Sequence, residues 1–269
     1  MLQQIFLPES IYELDYSTTM KTLSDCYVSD TPITGKVLRL NSSQKSFDVE
    51  LGRNIIASMS FEEATIYELF NDNGGISPNL YQLVGKNIRA KIIGFDFLRS
   101  PILSRKANML EALDFFKNET DQIITASITA FSRLSAFFDL GAGIIGRSFA
   151  KDFSAIKYSN IKDLGLKVGD VIPVKITSFI EEKNKFNLSR VATLPSVFNV
   201  IDEGDVYIAK VFGPVFDAEN VGHFALVEDT FIGIVDSPEI ELNYGDLVSV
   251  FVKKIKEDGK LKLSIVKKL

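Results

Sequence analysis

Residues Leu134 to Phe149 read LSAFFDLGAGIIGRSF, with three phenylalanines and three glycines in sixteen residues. Two folds compete for this stretch. Gly141, Gly143 and Gly146 have the G-x-G-x-x-G spacing of a dinucleotide cradle, and Asp163 lies about where a ribose-binding acid belongs. Alternatively, the stretch is two adjacent strands of a small barrel whose outward rings can meet nucleic-acid bases. The cradle needs an amphipathic helix directly after its glycines and βαβ units beyond them. Ser148 to Ala155 is too short and too weakly periodic for that helix, and the next strands form a hairpin. The barrel reading stands.

Working outward, the same texture recurs. Gly85 to Ser104 (GKNIRAKIIGFDFLRSPILS), Gly169 to Ser189 (GDVIPVKITSFIEEKNKFNLS) and Gly245 to Ser264 (GDLVSVFVKKIKEDGKLKLS) each start on Gly and alternate apolar with polar residues. Each then passes a polar turn and ends on Leu-Ser. Alternation of this kind is the mark of a half-buried strand, and the length difference of one residue is absorbed by a hairpin loop. Before each Gly lies a pair of strand-like runs, Ile33 to Leu51, Ile123 to Leu140 and Tyr207 to Val227. A third short run follows each pair: Ile55 to Met59, Gly146 to Phe149 and Phe231 to Val235. Three strands, a loop and a closing hairpin make five, and a repeat of about 75 residues suits a five-stranded OB-fold barrel.

The fold expected is therefore all-β, with three tandem five-stranded OB-fold barrels behind a short, partly helical N-terminal extension. The divisions are 1–30 (extension), 31–107 (first barrel), 108–121 (linker), 122–192 (second barrel), 193–200 (linker) and 201–269 (third barrel). Phe61 to Val84 reads as an insertion between strands of the first barrel.

Composition bounds the function. At 269 residues and 46% hydrophobic, the chain is long enough for two or three small cores. No apolar run approaches the ~18–20 residues that cross a bilayer, and the N-terminus lacks the basic region of an export signal. One cysteine, Cys26, fits a reducing compartment, so a cytoplasmic protein without a membrane partner is expected. The net charge of −5 argues against a bulk grip on duplex nucleic acid, but it is unevenly spread. Residues 31–108 carry +3 and 122–200 carry +4, whereas 1–30, 109–121 and 201–269 are acidic at −4, −3 and −5. A polyanion should prefer the middle of the chain.

The repeated order of motifs resembles the RNA-binding repeat of ribosomal protein S-one, the first-numbered protein of the bacterial small subunit. The middle copy carries it best, with LSAFFDL, GRSF, GDVIPVKI and FNLSR. The third offers VGHFALV, GIVD, GDLVSVFV and LKLSIV, and the first offers SFDVELG and ILSRKA. The whole chain looks like a short three-repeat version found in Gram-positive bacteria. The resemblance implies that bases stack on outward rings of the second and third strands and that basic residues of the closing hairpin hold phosphates. By position these are Phe137, Phe149, Arg147, Lys185 and Arg190 in the middle repeat, with Phe149 where the family usually has histidine. The third repeat keeps Phe224 and Lys260 but has Asp236 at the histidine position, and Leu134 and Val221 replace the first aromatic of the pattern. In the first repeat Lys45 and Asp48 stand where platform rings would be. The resemblance also implies docking on the small ribosomal subunit through residues 1–30 and the first barrel.

Strand alternation along AFFDL independently puts Phe137 and Asp139 on one face and Phe138 and Leu140 on the core face. Packing of Phe137 under a loop or against a neighbouring barrel is the alternative role for that ring. No catalytic residue, metal site, cofactor or small-molecule substrate is expected. The single histidine, His223, sits in a strand-like run, and one His with one Cys cannot make the usual zinc sets. Glu62, Glu63, Glu181 and Glu182 fall in polar turns. The function expected is single-stranded RNA binding in translation. The alternatives are a protein-interaction adaptor whose barrels have lost RNA binding, and an RNA-recruiting subunit of a degradation or transcription complex.

Overall fold

The structure is a computed structural model that describes residues 5–153, 166–217, 220–228, 230–236 and 240–269. It is all-β in architecture, with three closed five-stranded barrels. The first barrel is built from β1 (Ile33–Asn41), β2 (Ser46–Gly52), β3 (Ile55–Ser60), β4 (Asn87–Phe95) and β5 (Pro101–Ser104). The second uses β6 (Ile123–Phe131), β7 (Ser135–Asp139), β8 (Ile145–Phe149), β9 (Val171–Ile180) and β10 (Lys185–Ser189). The third uses β11 (Val206–Asp217), β12 (Asn220–Val227), β13 (Phe231–Asp236), β14 (Leu247–Ile255) and β15 (Leu261–Lys268). In each, the third strand runs parallel to the fifth, and every other pairing is antiparallel.

The repeat extends to irregularities. The first strand of each barrel slips register at Val37/Arg39, Ile128/Ala130 and Val211/Gly213. The closing hairpins slip at Ile92/Gly94, around Asn187/Leu188 and at Val252/Lys254. A β-bulge sharpens strand twist, and equivalent bulges in all three copies bend the strands enough to close barrels this small.

Alternation fills each interior. Val37, Phe47, Val49, Leu51, Ile88 and Leu103 are fully buried in the first barrel, and Phe138, Leu140, Ile176 and Phe186 in the second. Val211, Val235, Val250, Val252 and Leu263 do the same in the third.

Five α-helices lie among the described residues: α1 (Met20–Val28), α2 (Phe61–Ala64), α3 (Pro78–Tyr81), α4 (Arg105–Asn118) and α5 (Ala150–Phe153). Short helices α2 and α3 lie in the insertion between β3 and β4. Most of the acidic stretch expected to be a linker is helix α4, capped by Ser104, whose hydroxyl accepts the Ala107 N–H at 2.9 Å. Met109, Ala112, Leu113 and Phe116 recur at helical spacing and are buried. Phe116 meets Phe186 of the second barrel edge-on at 6.3 Å.

The extension is likewise packed. Phe6 lies 5.6 Å from Phe115, Leu23 of α1 belongs to the first core, and Glu9 is buried. The chain divides into two compact units, one holding the first two barrels and the other the third. Among the described residues no helix is long and apolar enough to cross a membrane.

Candidate nucleic-acid interface

The glycine stretch forms a turn between two strands. Gly141 and Gly143 adopt φ of +150° and +77°, and Gly146 lies inside β8. A Cβ on Gly146 would stand 2.4 Å from Leu140 Cδ1 and 2.5 Å from Leu188 Cδ1, so that glycine seats the strand against the core. A strand follows the glycines, where a dinucleotide cradle would start a helix. Asp163 lies outside the described residues.

On the outer face, β7 offers Phe137 and β8 offers Ile145, Arg147 and Phe149, while Phe138 points into the core. Phe137 pairs in register with Arg147, and Ser135 with Phe149. The Arg147 guanidinium lies 4.1 Å from the centre of the Phe149 ring and 5.7 Å from that of Phe137. Its Nε donates to Ser135 Oγ at 3.0 Å, which holds the planar group in place. Phe149 remains 38% exposed. Two rings and a planar cation on one face can stack bases, with the charge offered to phosphate.

Lys185 opens β10 with its Nζ 5.7 Å from the Tyr67 ring, and Asn187 pairs in register with Arg147. The Tyr67 hydroxyl accepts the Ile145 N–H at 2.8 Å and donates to the Asn184 carbonyl at 3.2 Å. The insertion is thereby pinned to the second barrel, and burial raises the Tyr67 pKa well above the usual phenol value. Arg190 directly follows β10. It belongs to the second compact unit, with its guanidinium 5.6 Å from the Phe153 ring and Nη1 donating to the Phe153 carbonyl at 3.3 Å.

The other two barrels present different faces. In the third, Phe224 on β12 is half-buried, Lys260 pairs with Asp258 at 2.5 Å, and Asp236 pairs with Lys253 at 2.6 Å. The Val221 side chain lies outside what is described. In the first, Asp48 is taken up by Arg39 at 2.5 Å and Asn41 at 2.8 Å, and Lys45 leans over Phe70 at 5.7 Å.

Asp139 shares the face of Phe137 yet is buried, because the N-terminal segment crosses it. The Glu9 N–H donates to Asp139 Oδ2 at 2.7 Å, and the Gly141 and Gly143 N–H groups donate to Oδ1 at 2.9 and 3.0 Å. The Glu9 carboxylate takes both Nε and Nη2 of Arg105 at 2.8 Å. A Cβ on Gly141 would lie 2.5 Å from the Phe6 carbonyl oxygen, and one on Gly143 would overlap Arg105 Nη2. These glycines make room for the N-terminal segment and for Arg105. Burial first, and then the nearby Glu9 charge, raise the Asp139 pKa to about 7 against the pull of Arg105 and the N–H donors.

With this geometry in hand, similarity to known proteins narrows the field. No family model matches the chain. Small ribosomal subunit protein bS1 of Staphylococcus epidermidis is 27% identical over 161 residues, covering 55% of this chain and 40% of that protein. The bS1 of Staphylococcus saprophyticus is 30% identical over 176 residues, covering 60% and 42%. The chain resembles ribosomal protein bS1. It spans about two fifths of the length of these curated relatives. A 4-hydroxy-3-methylbut-2-enyl diphosphate reductase of Clostridium acetobutylicum is 24% identical over 280 residues, covering 95% of this chain and 41% of that protein. Among solved structures, a multidomain protein with nucleic acid binding domains from Streptococcus pneumoniae is 14% identical with a TM-score of 0.26, over 88% of this chain and 73% of that one. The rings assembled beside a cation, Phe137 and Phe149 around Arg147, are on the second barrel.

Proposed function

We propose that this chain is a non-enzymatic, cytoplasmic single-stranded-RNA-binding protein that acts in translation in association with the ribosome, with the second barrel as reader. The observation that carries the reading is the placement of Arg147 against both Phe149 and Phe137 on one outward face. Similarity to bS1 supports the link to translation. Phe224 and Lys260 act as a weaker, accessory site, because Lys260 is already neutralised by Asp258.

The test is titration of labelled single-stranded RNA against wild type and the Phe137→Ala/Phe149→Ala variant at several salt concentrations. Stacking contributes about 1–3 kcal/mol per base, so the double variant should bind at least tenfold more weakly. Equal affinity in the two proteins would remove the platform.

An adaptor role is favoured by one feature, the tip of the β4–β5 hairpin, where Phe97 is 92% and Leu98 71% exposed. On the proposed reading this tip is the ribosome-docking part of the first barrel. Deleting residues 1–107 is an unsuitable test, since it would remove Glu9 and Arg105 from contacts that the second barrel shares. Co-sedimentation of Phe97→Asp/Leu98→Asp with small ribosomal subunits tests it instead. Undiminished co-sedimentation would exclude the tip from docking.

A further inference from the structure

Between the first and second barrels, inside one compact unit, lies a cleft of about 480 Å³. That is the size of a typical ligand site, and its lining sets polar side chains into a surface that is more apolar than polar. Two carboxylates line it, and both are engaged: Glu9 by Arg105, and Asp139 by backbone N–H groups. The charge left to face the opening is that of Lys36, half-exposed, and Lys86, exposed. Neither lysine has an ion-pair partner among the described residues. Thr129 and Gln82 add exposed donors to the lining.

The cleft also adjoins the ring platform. Ile145 and Tyr67 line it, and Ile145 is the first outward residue of β8, on the same face as Arg147 and Phe149. Four residue steps along the strand take Ile145 to Phe149, about 13 Å at 3.3 Å per residue. Lys185, against Tyr67, lies on the neighbouring strand one position before the Phe186–Gly146 pair. The outward face of one strand therefore leads from the rings into a cleft whose unpaired charge is cationic.

We infer that the cleft is the continuation of the RNA site: a strand whose bases lie on Phe137 and Phe149 places its next phosphates against Lys36 and Lys86. This assigns RNA contact to the first barrel, which has no platform of its own, and it rests on the function proposed above. Chemically the ligand is the phosphodiester backbone of single-stranded RNA, held by charge without reading of base identity.

The experiment compares an oligonucleotide of about four nucleotides, enough for one barrel, with one of about twelve. Wild type, Lys36→Ala/Lys86→Ala, Thr129→Lys and Phe137→Ala/Phe149→Ala are titrated from low to high salt, with thermal melting to establish folding. Each phosphate contact contributes about −0.7 to the slope of log K against log salt for single strands. The lysine variant should therefore flatten the slope for the long oligonucleotide by about 1.4 and bind it about 25-fold more weakly at 0.1 M salt, relative to 1 M, while binding the short one as wild type does. Thr129→Lys, which adds a cation to the same cleft, should steepen the slope for the long oligonucleotide alone, an effect that misfolding cannot imitate. An unchanged slope in both cleft variants, or equal loss for short and long oligonucleotides, overturns the inference while leaving the platform standing if the phenylalanine variant still loses affinity. Failure of wild type to bind either RNA overturns both readings.

Discussion

Arg147 has a flat guanidinium beside one ring, a second ring within reach, and a serine hydroxyl fixing its angle. Lysine would keep the charge and lose the plane. Arg147→Lys should therefore weaken RNA binding by about 1 kcal/mol or more while leaving the salt slope as in wild type, measured by the same titration. An equal fall in affinity and slope would make Arg147 a phosphate contact alone. Glu9 is a second decisive residue, since it neutralises a buried Arg105. Glu9→Ala leaves that cation unpaired, and the expected loss is about 3–5 kcal/mol of unfolding free energy by denaturant titration. A loss under about 1 kcal/mol would show that water reaches Arg105. Asp139 gives a pH dependence. Its pKa is raised to about 7 in the folded protein, so the native state holds the proton more tightly than the unfolded chain does. Its contribution is full below about pH 4, falls as pH rises toward 7, and is flat above. Asp139→Asn has no such titration, so the stability of wild type relative to the variant should decline between about pH 4 and 7. A pH-independent difference would place the proton elsewhere.

Alternation in AFFDL was enough to put Phe138 inside and Phe137 outside, because a strand's side-chain period is local. The same pattern put Asp139 outside too, and there a segment far away in sequence covers it. No local period reports such a contact. Gly141 and Gly143 were the available signal, and they stood for both a turn and a close approach.

Among elements, α4 shows how composition can mask a pattern. Its acidic residues suggested a linker, yet Met109, Ala112, Leu113 and Phe116 have the spacing of a helix face, and Ser104 is a ready N-cap. Phe116 is fully buried against Phe115, Phe6 and Phe186. Phe116→Ala should cost about 3–5 kcal/mol in chemical denaturation. If the stability fell by less than about 1 kcal/mol, α4 would be an ornament on two self-sufficient barrels. The fifteen strands were far easier to read than this one helix, because each barrel repeated the same order of turns and apolar phases. The bulges were not legible, since one extra residue in a strand leaves composition unchanged.

At the scale of the molecule, three similar barrels have been given different surfaces. The third keeps Phe224 and a lysine-rich closing hairpin, but Lys253, Lys260 and Lys268 each face an aspartate. Lys260→Ala should leave RNA affinity within about twofold of wild type, and exposed pairs of this kind contribute about 0–1 kcal/mol to stability. A larger loss of affinity in the titration would promote the third barrel to a principal reader. Charge counted along the sequence anticipated this difference between the middle and last barrels, because the third is acidic overall. It could not show which lysines were already paired.

The strap formed by residues 5–11 is made well before the carboxylate it binds. Its backbone N–H at Glu9 binds a carboxylate 130 positions later, so on the ribosome the segment must wait for β7 to emerge. At about 5–20 residues per second that delay is on the order of ten seconds. For that interval the first barrel can close while Arg105, once made, and the phenylalanines that will meet across the gap have no second wall. Birth order thus sets a checkpoint in this chain: the two-barrel unit locks only after the glycine turn at 141–143 has been synthesised.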